Sequence, residues 1–129
     1  MDDRERFNAG MKIRRAVLGD AHADNAEAHK NSFNEPFQDL ITRYAWGEIW
    51  TRPGLSRHTR SLLTLAMMVA LNRPDELRMH LRAALRSGVT REEIQELLLH
   101  SAIYCGVPAA NSAFLIADEV LAEQASSPK

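Results

Sequence analysis

The stretch that decides the fold is RPDELRMHLRAALRSG, residues 73–88. Pro74 favours a helix start, because its fixed φ suits the first turn and its missing N–H is not needed there. Gly88 favours a helix end, since glycine readily adopts the left-handed conformation that follows many helices. Between them, five positions follow the i, i+3, i+4, i+7, i+8 spacing of one helix face: Leu77, His80, Leu81, Ala84 and Leu85. We therefore predict a helix that carries His80 on its buried face.

The rest of the chain has the same helical periodicity, and no convincing alternating strand pattern interrupts it. Short connections between the helices predict an all-α bundle of six to seven helices. Helices are predicted over about residues 2–18, 22–33, from Pro36 past Ala45, over 57–71 and 74–87, from a Thr90 capping box to Tyr104, and from Ala110 to Leu121. We expect one domain, 1–129, with an N-terminal helical segment 2–33, a core at about 35–123 and a frayed tail 124–129.

Two helices are predicted to bury apolar side chains, one along a single face and the other on almost all sides. The helix that opens at Pro36 would bury one stripe, Phe37, Leu40, Ile41, Tyr44 and Ala45, which Glu48 prolongs. The helix over 57–71 is apolar on almost all sides from Leu62 onward. A helix of that kind belongs at the centre of a bundle or in a subunit interface.

The composition excludes several classes of function. The chain has 129 residues, 45% of them hydrophobic and 26% charged, which is typical of a single soluble domain. A net charge of −1 gives no general attraction for nucleic acid or an anionic membrane, and the longest apolar run, residues 65–71, is too short to cross a bilayer. One cysteine and no apolar N-terminal segment favour the cytoplasm. Without a phosphate loop, an HExxH motif or a core lysine, we expect no cofactor and no metal.

Two residues are candidates for acid–base chemistry. His80 on an apolar face is either a hydrogen-bonded core residue, the more common case, or a proton-transfer group shielded from bulk water. Burial favours the protonated form of a carboxyl group, so a buried Glu48 would donate a proton or orient His80. The alternative is that Glu48 lies at an exposed helix end.

A basic cluster, Arg52, Arg57, His58 and Arg60, surrounds the start of the helix that Ser56 would cap. Free N–H groups and the helix dipole already favour anions at a helix N-terminus. Arg57 and Arg60 are i, i+3 neighbours, so both could hold a small carboxylate. The alternative is a solvated arginine face.

Tyr104 and Cys105 end a helix beside the break at Gly106 and Pro108, a place where a pocket wall often lies. Tyr104 is either a packed core residue or a hydrogen-bond donor to an oxyanion. A lone Cys105 cannot run a dithiol cycle, and we interpret it as a small buried hydrophobe.

Five blocks of the sequence, in order along nearly the whole chain, resemble the carboxymuconolactone decarboxylase family of the alkylhydroperoxidase-D-like superfamily. They are RRAVLG (14–19), WGEIWTRPGL (46–55), RSLLTLA (60–66), GVTREEI (88–94) and YCGVPAAN (104–111). The redox relatives in that superfamily carry CxxCxxxH. Here Arg73 and Glu76 stand at the cysteine positions, His80 at the histidine position, and Ser61 at that of the upstream acid. The resemblance therefore carries no peroxidase activity with it.

The resemblance implies an alkylhydroperoxidase-D-like helical fold assembled as a homo-oligomer, a trimer or hexamer. It implies cofactor-independent decarboxylation of 4-carboxymuconolactone, a dicarboxylate lactone, to 3-oxoadipate enol-lactone, a step of protocatechuate catabolism in the β-ketoadipate pathway. In that reading Arg57, Arg60 and His58 bind substrate carboxylates, and either Tyr104 or a backbone N–H at a helix start binds the oxyanion. His80 supplies the proton, with Glu48 as its orienting or acidic partner. The alternatives are a thiol oxidoreductase and a non-catalytic binding protein for aromatic-acid metabolites.

Overall fold

The computed structural model describes residues 1–126, which form helices and connecting turns with no β-strand among them. The helices are α1 (Asp3–Leu18), α2 (Asp20–Ala28), α3 (Glu35–Leu40), a π-helical segment (Ile41–Ile49), α4 (Arg57–Ala70), α5 (Pro74–Arg86), α6 (Arg91–Tyr104) and α7 (Val107–Ser126). The all-α prediction is confirmed. The chain divides into two compact units, Met1–Arg57 and a second unit that begins at His58. None of the described helices is both long and apolar enough to cross a bilayer.

The π-helical segment of the first unit overturns one prediction. Its hydrogen bonds join residues five positions apart, as where the Trp50 N–H donates to the Ala45 carbonyl at 3.0 Å. Because each turn then holds more residues than an α-turn, α-helical spacing no longer marks one face. The buried members are Thr42, Trp46 and Gly47, whereas Tyr44, which was predicted to be buried, is exposed. Phe37 and Leu40, predicted on the same stripe, are also exposed, but they lie in α3, which buries none of its residues.

Two glycines let α1 cross the π-helical segment at very short range. A Cβ added to Gly10 would overlap the carbonyl oxygen of Thr42 and lie 2.8 Å from the Gly47 nitrogen. A Cβ added to Gly47 would overlap the carbonyl oxygen of Arg6. Near this crossing the buried Arg14 donates to Gln38 at 3.2 Å and to Thr42 at 3.3 Å. These contacts hold the segment in place. Burial lowers the pKa of the Arg14 guanidinium, and the negative charge of Glu27 acts in the opposite direction.

The second unit is built around a continuous apolar core from α4 to α7. Its most deeply buried large side chains are Leu65, Leu81, Ile94, Leu98 and Val120. The predicted boundaries are confirmed: Pro74 opens α5, Gly88 follows it at a φ of 99°, and Thr90 and Glu93 form a complete capping box on α6.

One face of α4 does not enter that core. Ser61, Leu65 and Val69 are buried, but Leu63 and Met67 are 43% and 55% exposed. The prediction that this helix lies at the centre of the bundle is therefore wrong for the described residues. The alternative prediction, that it lies in a subunit interface, stays a prediction. At the other end of the chain α7 continues through Ser126, and the last three residues of the predicted tail, 124–129, lie outside the described residues.

Candidate active site

His80 lies in the second turn of α5 at the margin of its buried stripe. Leu77 and Leu81 on either side are 3% and 1% exposed, whereas the imidazole is partly buried. The predicted face is thus confirmed for the leucines, and His80 sits where that face meets the surface. A partly buried imidazole combines reduced contact with water and access to a ligand, as a proton donor requires.

The first turn of α4 carries three of the predicted substrate-binding residues. Arg57 is exposed, while His58 and Arg60 are partly buried. Their positions on one helical turn agree with the i, i+3 argument for the two arginines. A helix N-terminus with this many cationic side chains favours a carboxylate ligand.

His58 has a partner that the sequence did not indicate. Its Nε2 lies 2.6 Å from Oε2 of Glu93, although 35 residues separate the two. A carboxylate only accepts hydrogen bonds, so Nε2 is the donor. The other oxygen of Glu93 accepts from the Thr90 N–H at 2.9 Å. The pKa of the Glu93 carboxyl lies below its ordinary value. The hydrogen bond from the Thr90 N–H is the largest cause, and the hydrogen bond from His58 is the next.

A cavity of about 550 Å³, widely open to the surface, lies between α4 and α6. Its volume falls in the usual range for small-molecule pockets. Its wall is apolar on α4 and carries carboxylates and a histidine on α6: Leu62, Ala66, Glu92, Glu93, Glu96, Leu97, His100 and Ser101. The α6 carboxylates would repel an anionic group, so the cationic first turn of α4 is the better place for a substrate carboxylate.

Glu48 forms an ion pair in the first unit. Its Oε2 accepts from Nε of Arg6 at 3.2 Å, and its side chain is 43% exposed. The Arg6 guanidinium also lies 5.8 Å from the centre of the Tyr44 ring. The buried alternative for Glu48 is therefore wrong, because the π-helical register places it beside α1 rather than on an apolar stripe. Helical spacing could not reveal the pairing of Arg6 with Glu48, because the two residues are 42 positions apart in the sequence.

Tyr104 and Cys105 lie on the surface at the end of α6. Tyr104 is 79% exposed, and its ring centre is 4.9 Å from that of His100. Cys105 is exposed as well, so its interpretation as a buried hydrophobe is wrong, as is the packed core position for Tyr104. Both residues lie beyond Ser101, the last buried position of this helix. The oxyanion role of Tyr104 stays a prediction.

Among the residues that the structure describes, no His, Cys, Asp and Glu side chains form a group of three or more that could hold a metal ion. The model of the carboxymuconolactone decarboxylase family matches residues 35–119. The chain belongs to this family. The matched part begins with α3 and reaches into α7, so it includes the π-helical segment and the helices that carry His58, His80 and Glu93.

Three individual proteins are similar to the chain, two of them over more than nine-tenths of its length. A protein named 4-carboxymuconolactone decarboxylase from Acinetobacter baylyi is 49% identical over 129 residues, which are all of this chain and 96% of the relative. The nitrosuccinic acid decarboxylase npaB of Metarhizium robertsii is 42% identical over 92% of this chain and 82% of its own length. A 4-carboxymuconolactone decarboxylase sequence from Pseudomonas putida is 54% identical over 48 residues, which are 37% of this chain and all of that sequence.

Proposed function

We propose that the protein decarboxylates 4-carboxymuconolactone to 3-oxoadipate enol-lactone, a step of protocatechuate catabolism in the β-ketoadipate pathway. The observation that carries this proposal is 49% identity, over the whole of this chain, to a protein named for that activity. The clustered cations of α4 and the partly buried His80 support it, because they supply the two kinds of group that such a reaction needs.

The reaction requires few groups on the protein: those that bind the substrate and its developing charge, and one that donates a proton. The bond between the ring carbon and the departing carboxylate breaks, CO₂ leaves, and the electron pair enters the unsaturated lactone as a dienolate. A proton is then delivered to carbon. Because the lactone itself accepts the electrons, this route needs no metal or organic cofactor. The protein has to hold a dianion, stabilise the developing oxyanion and donate the proton.

We propose one role for each of the predicted site residues. Arg57, Arg60 and His58 bind the substrate carboxylates at the N-terminus of α4, where the backbone N–H groups add to the attraction. His80 donates the proton. Glu48, held by Arg6, is its proposed acidic or orienting partner, and Tyr104 is proposed to donate to the lactone oxygen.

Release of CO₂ from 4-carboxymuconolactone by the purified, metal-free protein tests the proposed function. His80→Ala should lower kcat by about 100-fold or more, the usual effect of losing a general acid. His29→Ala is the matched control, because His29 is exposed at the end of α2 and should leave kcat unchanged. A folded wild-type protein without turnover would refute the substrate, and an unchanged kcat in His80→Ala would remove that residue from the mechanism.

The similarity to npaB, 42% identical over 92% of this chain, favours a second candidate substrate, nitrosuccinic acid. Loss of CO₂ from the carbon that bears the nitro group would place the electron pair on the nitro oxygens, just as the lactone accepts it in the first reaction. The same cationic binding groups and proton donor would serve. Parallel assays with both compounds decide between them, and the larger kcat/KM identifies the substrate for which the site is built.

We also propose that the protein is a homo-oligomer, a trimer or hexamer. Leu63, Met67 and Leu71 form an exposed apolar ridge at i, i+4, i+8 spacing along and just beyond α4, and Ile103 and Val107 are 79% and 70% exposed. Apolar surface of this extent is typical of an interface. Light scattering should give three or six times the mass of one chain, and Met67→Glu should reduce it. A monomeric wild type would refute the proposal.

The cytoplasm is our proposed location, because an exposed thiol is stable in a reducing compartment. Fractionation of producing cells tests this, with enrichment in the periplasmic fraction as the contrary result.

A further inference from the structure

Glu93 uses each of its two carboxylate oxygens for a different helix. Oε1 accepts from the Thr90 N–H at 2.9 Å and so completes the cap of α6, whereas Oε2 accepts from His58 in the first turn of α4 at 2.6 Å. The cap is complete without His58, because Thr90 Oγ1 also accepts from the Glu93 N–H at 3.1 Å. The contact with the imidazole is therefore additional to what the helix end requires.

The position of this carboxylate is unfavourable for simple anion binding. It lies against a histidine whose neighbours on the same turn, Arg57 and Arg60, are the proposed receptors for substrate carboxylates, and a negative charge there weakens their attraction. It also lines the cavity between α4 and α6. This placement is explained if the Glu93 carboxylate orients the His58 ring, because the orientation of the ring decides which of its nitrogens contacts the ligand.

We infer that Glu93 is the positioning residue of His58: it engages Nε2 and leaves Nδ1 as the nitrogen that donates to a substrate carboxylate. This inference rests on the proposed function. A ring held between Glu93 and a substrate carboxylate has an acceptor on each side, so both nitrogens donate and the ring carries its second proton. His58 then binds the substrate through a charge-assisted hydrogen bond, which is about twice as strong as a neutral one.

Replacement of Glu93 by glutamine separates the two tasks. Glutamine at this position still forms a capping box, but its amide has a single acceptor oxygen. When that oxygen accepts from the Thr90 N–H, the amide NH₂ faces Nε2, which must then accept instead of donate. The neutral ring would carry its proton on Nδ1 and could no longer bind as a cation. The helix end is preserved while the state of His58 changes.

The experiment measures kcat and KM for 4-carboxymuconolactone in Glu93→Gln, with Glu5→Gln as control. Glu5 occupies the third position of α1, where its N–H donates to the Asp2 cap at 2.8 Å, so its replacement removes the same charge from a capped helix. We expect KM to rise about tenfold in Glu93→Gln with kcat within about twofold, because a binding interaction is lost. Glu5→Gln should match wild type, and Glu93→Gln should add nothing in a His58→Asn background.

The ¹⁵N resonances of the His58 ring, observed at a pH where the ring of the substrate-free protein is neutral, give an independent reading. They should show Nε2 protonated in wild type and Nδ1 protonated in Glu93→Gln. An unchanged ring tautomer, or a fall in kcat at constant KM as expected from a partly unfolded enzyme, would overturn the inference. Absence of turnover by wild type would instead refute the proposed function, and that result precedes any comparison of variants.

Discussion

Gly10→Ala should destabilise the protein, although alanine is the better helix former. The added Cβ would overlap the Thr42 carbonyl oxygen and lie 2.8 Å from the Gly47 nitrogen. Both are backbone atoms of the π-helical segment and cannot rotate away, so α1 and the segment would have to separate. That separation would also strain the hydrogen bonds of Arg14 to Gln38 and Thr42.

The size of the effect is set by two opposing contributions. Overpacking costs about 1–3 kcal/mol, and contact with rigid backbone places this case at the upper end of that range. Replacing glycine by alanine inside a helix raises the free energy of unfolding by about 1 kcal/mol. We therefore expect a net loss of about 2 kcal/mol in the free energy of unfolding, or a Tm lower by about 8 °C for a chain of this length.

Urea unfolding followed by circular dichroism measures the change, with Gly54→Ala as the matched control. Gly54 has nothing within 4 Å of an added Cβ, so the same substitution should change stability by no more than about 0.5 kcal/mol. A Gly10→Ala protein as stable as the Gly54→Ala protein would refute the close crossing of α1 and the π-helical segment.

Three further outcomes are expected. Cys105→Ser should retain decarboxylase activity, because the thiol is exposed and has no proposed role, and a loss of turnover would support a thiol enzyme instead. Leu81→Ala should cost about 2–5 kcal/mol in urea unfolding, because Leu81 is 1% exposed within the core, and a smaller loss would mean that the site collapses around the cavity. Two hydrogen bonds from Arg82, at 2.9 and 2.7 Å, lower the pKa of Glu123 from its ordinary value of 4.5, so its contribution to stability is present above that pH and is lost as pH falls through the folded-state pKa. The difference in urea midpoint between wild type and Glu123→Gln should therefore shrink from pH 7 to pH 3, and a constant difference would contradict this.

Features that depend on local chemistry were predictable from the sequence. Pro74 and Gly88 mark the ends of α5, and Thr90 with Glu93 marks the start of α6, because each acts on backbone groups within a few residues. The π-helical segment was not predictable in this way. Its register accompanies the close approach of Gly10, a contact between distant parts of the chain that spacing within residues 41–49 cannot reveal.

In the candidate site, too, features set within one helix were predictable and pairings between separate helices were not. The cationic first turn of α4 and the position of His80 follow from helical spacing. The pairing of His58 with Glu93 joins residues 35 apart, and that of Arg6 with Glu48 joins residues 42 apart. Periodicity within one helix carries no information on such pairs, since they depend on how separate helices pack.

The exposed Cys105 also makes the chain convenient for spectroscopy. It is the single cysteine of the sequence, and it lies beside the exposed Tyr104 and Val107 at the junction of α6 and α7. A maleimide dye would therefore attach at one known point without removal of other thiols. Because Cys105 lies between Ile103 and Val107 of the proposed interface, association of chains would cover the thiol, so the rate of labelling would report assembly.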